Sequence, residues 1–240
     1  LIFGLLLLLL ALVALTTIRD DHPSIQNELT ASKRLAVNSE SNSKFENNIS
    51  LRYALRDRRF WLIFFAISFS TFTYQGVLTQ LHQHFSENGF SNPLATTGMS
   101  TIAGLGILSK LCFGRASERW TARRCFMLAV AFQAIGLSIM ATTSLVIPMW
   151  IGIIVFGMGF GGLGALIILL VQEAFGIESF GSIFGVIQIG MHASIAGAPA
   201  IAGWAHDRYD SFSIAFLIIV VIFVFSIISL FITGPDKSQN

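Results

Sequence analysis

Charged residues are scarce in this sequence. Asp, Glu, Lys and Arg make up 12% of its 240 residues, whereas a soluble domain carries about 25%. Hydrophobic residues make up 54%, and the net charge is only +2. This balance excludes an ordinary soluble domain and is typical of a protein embedded in membrane lipid. We also expect no nucleic-acid partner.

Cysteine is nearly absent as well. Cys112 and Cys125 are the only two, which excludes a disulfide framework. The sequence has no nucleophile–base arrangement, phosphate loop or zinc spacing. The glycine-rich stretch Gly157–Gly164 lies inside a hydrophobic run with no strand before it, so it does not form a dinucleotide site. We therefore expect no enzyme activity, no metal site and no bound cofactor.

Long hydrophobic runs, by contrast, are abundant. The first, Leu1–Leu15, is shorter than the roughly 20 residues that cross a bilayer. It opens with neither a Met nor the basic segment of a signal peptide, so we interpret residues 1–16 as the end of a truncated transmembrane helix. Residues 17–59 are polar and cannot bury enough apolar surface to fold alone. We interpret them as a linker.

Six further runs are each long enough to cross a membrane as a helix. Their approximate bounds are 60–81, 94–113, 125–142, 147–171, 181–203 and 212–233. They predict an all-α integral membrane protein with a six-helix transmembrane bundle over residues 60–233 and a tail at 234–240.

The basic residues predict the orientation of this bundle. If the six runs alternate in direction, 14 of the 15 Lys and Arg residues lie on one side, and Arg208 is the exception. Because basic residues accumulate on the cytoplasmic side, we expect the linker and the C-terminus to be cytoplasmic. We expect the protein to reside in the plasma (inner) membrane.

A short pattern occurs twice. Gly114-Arg-Ala-Ser-Glu118-Arg119 returns 89 positions later as Gly203-Trp-Ala-His-Asp207-Arg208, and both read Gly-x-x-x-acid-Arg. Each copy closes the second run in a set of three. The matched positions predict an internal repeat of three helices.

Polar and small residues inside the runs provide further candidates. Thr71, Tyr74 and Gln75 on the first run, with Gln188 and His192 on the fifth, are predicted to line a cavity, because polar groups in a membrane avoid lipid. A neutral histidine bonded to a carbonyl group is the alternative for His192.

Small residues at helical spacing predict close helix packing, either static or able to slide. These are Gly157, Gly161, Gly181, Gly185, Gly190, Ser194 and Ala198.

The segment Phe113–Arg124 resembles the loop motif Gly-x-x-x-Asp-Arg-x-Gly-Arg-Arg of major facilitator superfamily transporters, with Glu118 in place of the aspartate. Ala202–Arg208 resembles the end of the eleventh helix in the monocarboxylate-transporter-like branch. The resemblance implies the C-terminal half of a twelve-helix protein with two six-helix bundles, each made of two inverted three-helix repeats, around a central cavity. Its implied partners are membrane lipid, a small-molecule substrate and a missing N-terminal six-helix half.

This resemblance implies secondary active transport of a small organic solute, including organic anions, by alternating access, with a proton or cation as a coupling ion. A non-transporting receptor or sensor on the same scaffold is the alternative. The two copies of the pattern are the expected gates, because each carboxylate can accept hydrogen bonds from a neighbouring helix N-terminus in only one state. The gating candidates are Gly114, Glu118, Arg119, Arg123, Gly203, Asp207 and Arg208.

Overall fold

The computed structural model describes residues 51–177 and 179–233. The predicted truncated helix at 1–16, the linker up to residue 50 and the tail at 234–240 lie outside the described residues. All regular structure in the described part is helical, which confirms the predicted all-α class.

Eight helices and one π-helical turn follow a short helical stretch at 51–56. Polar caps explain several of their starts: Asp57, Thr121 and Ser211 each accept a backbone N–H of the helix that they precede. In order, the helices are α1 Arg58–Ser70, α2 Leu81–Glu87, α3 Asn92–Arg119, α4 Ala122–Thr142, α5 Val146–Phe160, α6 Leu163–Phe175, α7 Phe180–Tyr209 and α8 Phe212–Ile232, with the π-helical turn Thr73–Val77 between α1 and α2.

Five of the described helical segments are long and apolar enough to cross a membrane: Arg58–Val77, Ala122–Thr142, Val146–Phe175, Phe180–Tyr209 and Phe212–Ile232. The predicted second crossing, α3, has 28 residues, which is also sufficient length. Its Thr, Ser and Gly residues make it less apolar, and it packs along α5. Together these segments form the predicted membrane bundle.

Two boundaries differ from the prediction. The runs expected to end at 113 and 203 continue as helix to Arg119 and Tyr209. A hydrophobic run marks the part of a helix that suits lipid, whereas backbone hydrogen bonding continues into polar sequence. Both copies of the Gly-x-x-x-acid-Arg pattern therefore lie in the last turns of helices.

The bundle is built from two similar sets of three helical segments. The first set is α1 with α2, then α3 and α4; the second is α5 with α6, then α7 and α8. The first segment of each set is broken, the second has 28 or 30 residues, and the third has 21. The third helices begin at Ala122 and Phe212, which are 90 positions apart. These matched lengths agree with the predicted three-helix repeats.

Polar side chains from other helices support both breaks. At the first break, Thr73 Oγ1 donates to Gln133 Oε1 of α4 at 2.6 Å. At the second, Ser109 Oγ of α3 donates to the Met158 carbonyl oxygen at 2.6 Å and accepts from Gly162 N at 3.1 Å. A broken helix inside a membrane leaves backbone groups without helical partners, and Ser109 bonds two backbone groups at the second break.

Burial is uneven among the crossings. Of the most apolar part of the crossing Arg58–Val77, a share of 61% is buried among the described residues. The same share for α7 is 22%. Most of the surface of α7 therefore faces away from the other described helices.

Candidate functional site

The predicted cavity residues of the first crossing lie at its break. Thr71 is buried, and its hydroxyl donates to the Ser68 carbonyl oxygen at 2.7 Å. Tyr74 is half-buried, with its ring packed edge-on against Phe160 of α5. Gln75 is exposed. The hydroxyl of Thr71 is thus used by its own helix, while the amide of Gln75 is accessible.

The other two cavity candidates lie one turn apart on α7. His192 is exposed and Gln188 is half-buried. His192 Nδ1 donates to the Gln188 carbonyl oxygen at 2.7 Å, so Nε2 of the neutral ring is a hydrogen-bond acceptor that faces open space. Among the described residues, no hydrogen bond joins this pair to Tyr74 or Gln75. Their role in binding stays a prediction.

The predicted packing residues fall into two groups. Gly157 lies against Ile102 and Leu105 of α3, an added Cβ at Gly161 would collide with the backbone of Gly106, and one at Gly190 would collide with Phe64 and Ser68 of α1. Ala198 is fully buried and Ser194 is half-buried. At Gly181 and Gly185, an added Cβ would have no described atom within 4 Å.

The two ends of the bundle carry different polar groups. We call the end with Arg119, Arg123 and Glu173 the basic face, and the end with Glu87 and His206 the histidine face. The Gly-x-x-x-acid-Arg patterns lie at opposite ends, the first on the basic face and the second on the histidine face.

The predicted gating residues are largely unengaged within this bundle. Glu118, Arg119 and Arg208 are exposed, and the Asp207 side chain is 88% exposed. An added Cβ at Gly114 or Gly203 would meet no described atom within 4 Å. Arg123 differs, because its Nε donates to the Leu230 carbonyl oxygen at 3.0 Å and its Nη2 to that of Phe231 at 2.9 Å. Arg123 therefore caps the C-terminus of α8.

Two other carboxylates occupy the helix N-termini. Glu173, in the last turn of α6, accepts the backbone N–H of Ala122, the first residue of α4, at 2.7 Å. Glu87, the last residue of α2, accepts the N–H of Phe212, the first residue of α8, at 3.3 Å. A carboxylate is favourable there because the helix dipole is positive at that end. In this structure Glu173 and Glu87 are the acceptors at these two N-termini, and the gating roles of Glu118 and Asp207 stay a prediction.

These carboxylates occupy equivalent places in the two repeats. Each ends the broken first segment of one set and caps the third helix of the other set. The sequence signal was an acidic residue at the end of both broken segments, but sequence reasoning missed it because nothing local shows which helix N-terminus each one reaches.

The opposite ends of α4 and α8 are capped by basic side chains. Arg123 caps α8, as described, and the buried His84 caps α4, with Nε2 donating to the Met140 carbonyl oxygen at 2.9 Å. Burial lowers the pKa of His84, against the opposing effects of its bond to Met140 and of the charge on Glu87. We call Glu173 and Arg123 the basic-face caps, and Glu87 and His84 the histidine-face caps.

A small cavity of about 90 Å³ lies beside the basic-face caps. Asp57, Arg59, Arg123 and Glu173 line it together with apolar side chains of α1, α6 and α8. Charges of both signs from three helices therefore meet at the point where α8 ends.

The sequence of residues 1–199 matches the family model of the Major Facilitator Superfamily. The chain belongs to this superfamily. Membership agrees with the apolar helices and the two three-helix sets, and it identifies an integral membrane protein of a transporter family rather than an enzyme.

A solved structure shows the same fold. The E. coli fucose:proton symporter FucP superposes with a TM-score of 0.64 at 13% sequence identity. The match covers 78% of this chain and 45% of the symporter, so the chain spans just under half the length of that protein. No protein among those of curated function matches the sequence.

Proposed function

We propose that the protein containing this chain is a secondary active transporter of a small organic solute that works by alternating access. The superfamily and the fold likeness to a symporter support this function. The observation that carries it is the pair of matched caps. Because Glu173 and Glu87 tie one three-helix set to the other at opposite faces, the six crossings can move as one rigid body.

The gating residues then have a distinct role in this proposal. Glu118, Arg119, Asp207 and Arg208 are exposed, so they are accessible to a second six-helix half. We propose that the first pair contacts that half when the basic face is closed, and the second pair when the histidine face is closed. Rigid-body rocking between the two contacts is alternating access.

The orientation follows from the basic residues. We propose that the basic face, the linker and the C-terminus lie in the cytoplasm, and that the protein resides in the plasma membrane. The test uses single cysteines at Ser41 in the linker and at Gln83, which is exposed on α2. A membrane-impermeant thiol reagent added outside intact cells should label Gln83→Cys and spare Ser41→Cys. The reverse pattern refutes the orientation.

The substrate site in this proposal lies between the first break and α7. Tyr74 and Gln75 supply a phenol and an amide, Gln188 and His192 supply an amide and an imidazole, and Thr71 supports the break. These groups suit a small polar solute, and a protonated His192 suits an organic anion. A proton carried by His192 is our proposal for the coupling ion.

Uptake into proteoliposomes tests this function. Full-length protein containing both halves is reconstituted and offered radiolabelled monocarboxylates and neutral sugars, with and without a pH gradient. We expect saturable uptake of at least one class, and a shifted pH profile in His192→Gln. The matched control is His82→Gln, which removes a histidine of α2 outside the proposed cavity. Uptake no faster than in protein-free liposomes for every solute contradicts the proposal.

A further inference from the structure

One histidine on the histidine face belongs neither to the caps nor to the proposed cavity. His206 lies in the last turn of α7, and its Nε2 is 3.0 Å from Glu87 Oε1 at the end of α2. Its ring stacks on Phe212 at the start of α8, with centroids 4.4 Å apart and planes at 30°. His206 therefore links its own helix, α7, to both α2 and α8.

The charged surroundings of His206 are mostly acidic. Glu87 faces it from α2, and on its own helix Asp207 Oδ1 lies 4.0 Å from Nδ1. Arg208 and Asp210 follow in the chain, and α8 carries no titratable residue between Phe212 and Ile232. The other titratable groups of α2 are His82 and the buried His84.

The two ring nitrogens respond differently to a proton. In the neutral ring, Nε2 donates to Glu87, so Nδ1 carries a lone pair toward the Asp207 carboxylate. Protonation converts Nδ1 into a second donor and gives the ring a positive charge between two carboxylates. The hydrogen bond to Glu87 then joins two opposite charges and is stronger than the bond from a neutral ring, and Asp207 at 4.0 Å adds a second attraction between opposite charges.

Glu87, which contacts the His206 ring, lies on α2, and α2 is not continuous with α1. The π-helical turn Thr73–Val77 and the turn after it separate α2 from α1. Glu87 at the end of α2 contacts His206 and the first N–H of α8 at once. The strength of the His206 contact therefore changes how firmly α2 is held against α7 and α8.

We propose that His206 is a proton-binding site that controls α2: acidification fastens the end of the broken first crossing to α7 and α8, and loss of the proton loosens it. In the proposed orientation this site faces the outside of the cell. The effect is local to this face, so it does not depend on which solute is transported.

Hydrogen exchange of the full-length protein tests the site. Amide exchange in peptides covering 81–90 is measured at about pH 5.5 and about pH 8, which bracket the range where histidines change charge, and corrected for the intrinsic pH dependence of exchange. We expect acidification to slow exchange by about twofold to fivefold, the range of a partly exposed ion pair. His206→Gln should abolish this gain in protection, whereas His82→Gln, on the same face, should keep it.

A second variant covers the case in which His206→Gln fails to fold. Glu87→Gln retains an oxygen that can accept the N–H of Phe212 but removes the charge that attracts the protonated ring. Loss of the acid-induced protection in Glu87→Gln supports the site. Protection that persists in either variant, or that is absent from the unmodified protein, overturns it. Protonation of His84 changes protection in the opposite direction, so it cannot imitate the expected gain.

Discussion

Replacing Gly190 by alanine tests how α7 packs on α1. An ideal Cβ at this position would lie 2.7 Å from Phe64 Cε2 and would also collide with Ser68 Oγ. The Phe64 ring has little room to move, because it packs against Phe60 at 6.0 Å and Trp61 at 5.5 Å between centroids. Ser68 Oγ is buried without a hydrogen-bond partner among the described residues.

The magnitude follows from two opposing effects. Alanine favours a helix over glycine by about 1 kcal/mol. Overpacking a tight contact costs about 1–3 kcal/mol. Gly185 on the same helix is the matched control, because an added Cβ there has no described neighbour within 4 Å. Gly190→Ala should therefore be less stable than Gly185→Ala by about 1–3 kcal/mol.

The assay is thermal unfolding of the full-length protein in detergent, followed by uptake well below the melting temperature. Equal stability of the two variants would refute the packing argument. If the contact is static packing, Gly190→Ala should transport at a normal rate once folded. If α7 slides along α1, the same variant should transport slowly while Gly185→Ala does not.

Three further predictions concern charged and titratable groups. Glu173→Gln and Glu87→Gln each keep an oxygen that accepts the N–H but lose the charge, so each should lower the free energy of unfolding by about 0.3–1 kcal/mol, the usual value of a charge at a helix end. The exposed Glu118→Gln should change it little; equal effects in a denaturation series would contradict the cap assignment. Burial lowers the pKa of His84, so the neutral ring stabilises the fold above the ordinary histidine pKa of about 6.5, and this stability is lost as pH falls through the lowered pKa of the folded protein. His84→Gln should remove this loss from melting temperatures measured between about pH 7.5 and pH 5. A melting temperature that depends on pH as strongly as in the unmodified protein would refute the assignment. Glu118→Gln should favour opening of the basic face and Asp207→Asn opening of the histidine face, so cysteine accessibility should shift in opposite directions; a shift in the same direction would show that the two patterns are not paired gates.

The sequence predicted the membrane bundle because the relevant physics is local. Each crossing needs about 20 apolar residues in a row, and such runs are visible without knowing what they contact. The repeat was visible for a similar reason, since the paired glycine and acid–Arg residues keep their place in two sets of helices.

The breaks within the first and fourth runs were not predicted. Residues 71–80 contain Thr71, Tyr74 and Gln75, whose polar side chains also predict the lining of a cavity within an unbroken helix, and Gly161–Gly162 lie in a glycine-rich stretch that also predicts close packing. Gln133 and Ser109, which support the breaks, come from other helices. Ser109 bonds backbone groups where α5 ends, whereas Gln133 bonds the side chain of Thr73 in the π-helical turn.

By itself, the sequence determined the class, the crossings, the repeat and the family, because these depend on composition and on order along the chain. Only the tertiary structure decided which carboxylates cap helix N-termini. Glu118 and Asp207 carry the recognisable pattern, yet Glu173 and Glu87 accept the N–H groups of Ala122 and Phe212. The two residues of the Glu173 cap are 51 positions apart in the chain, and those of the Glu87 cap are 125 positions apart. A cap needs an oxygen within about 3 Å of a particular N–H, and packing of whole helices sets that distance.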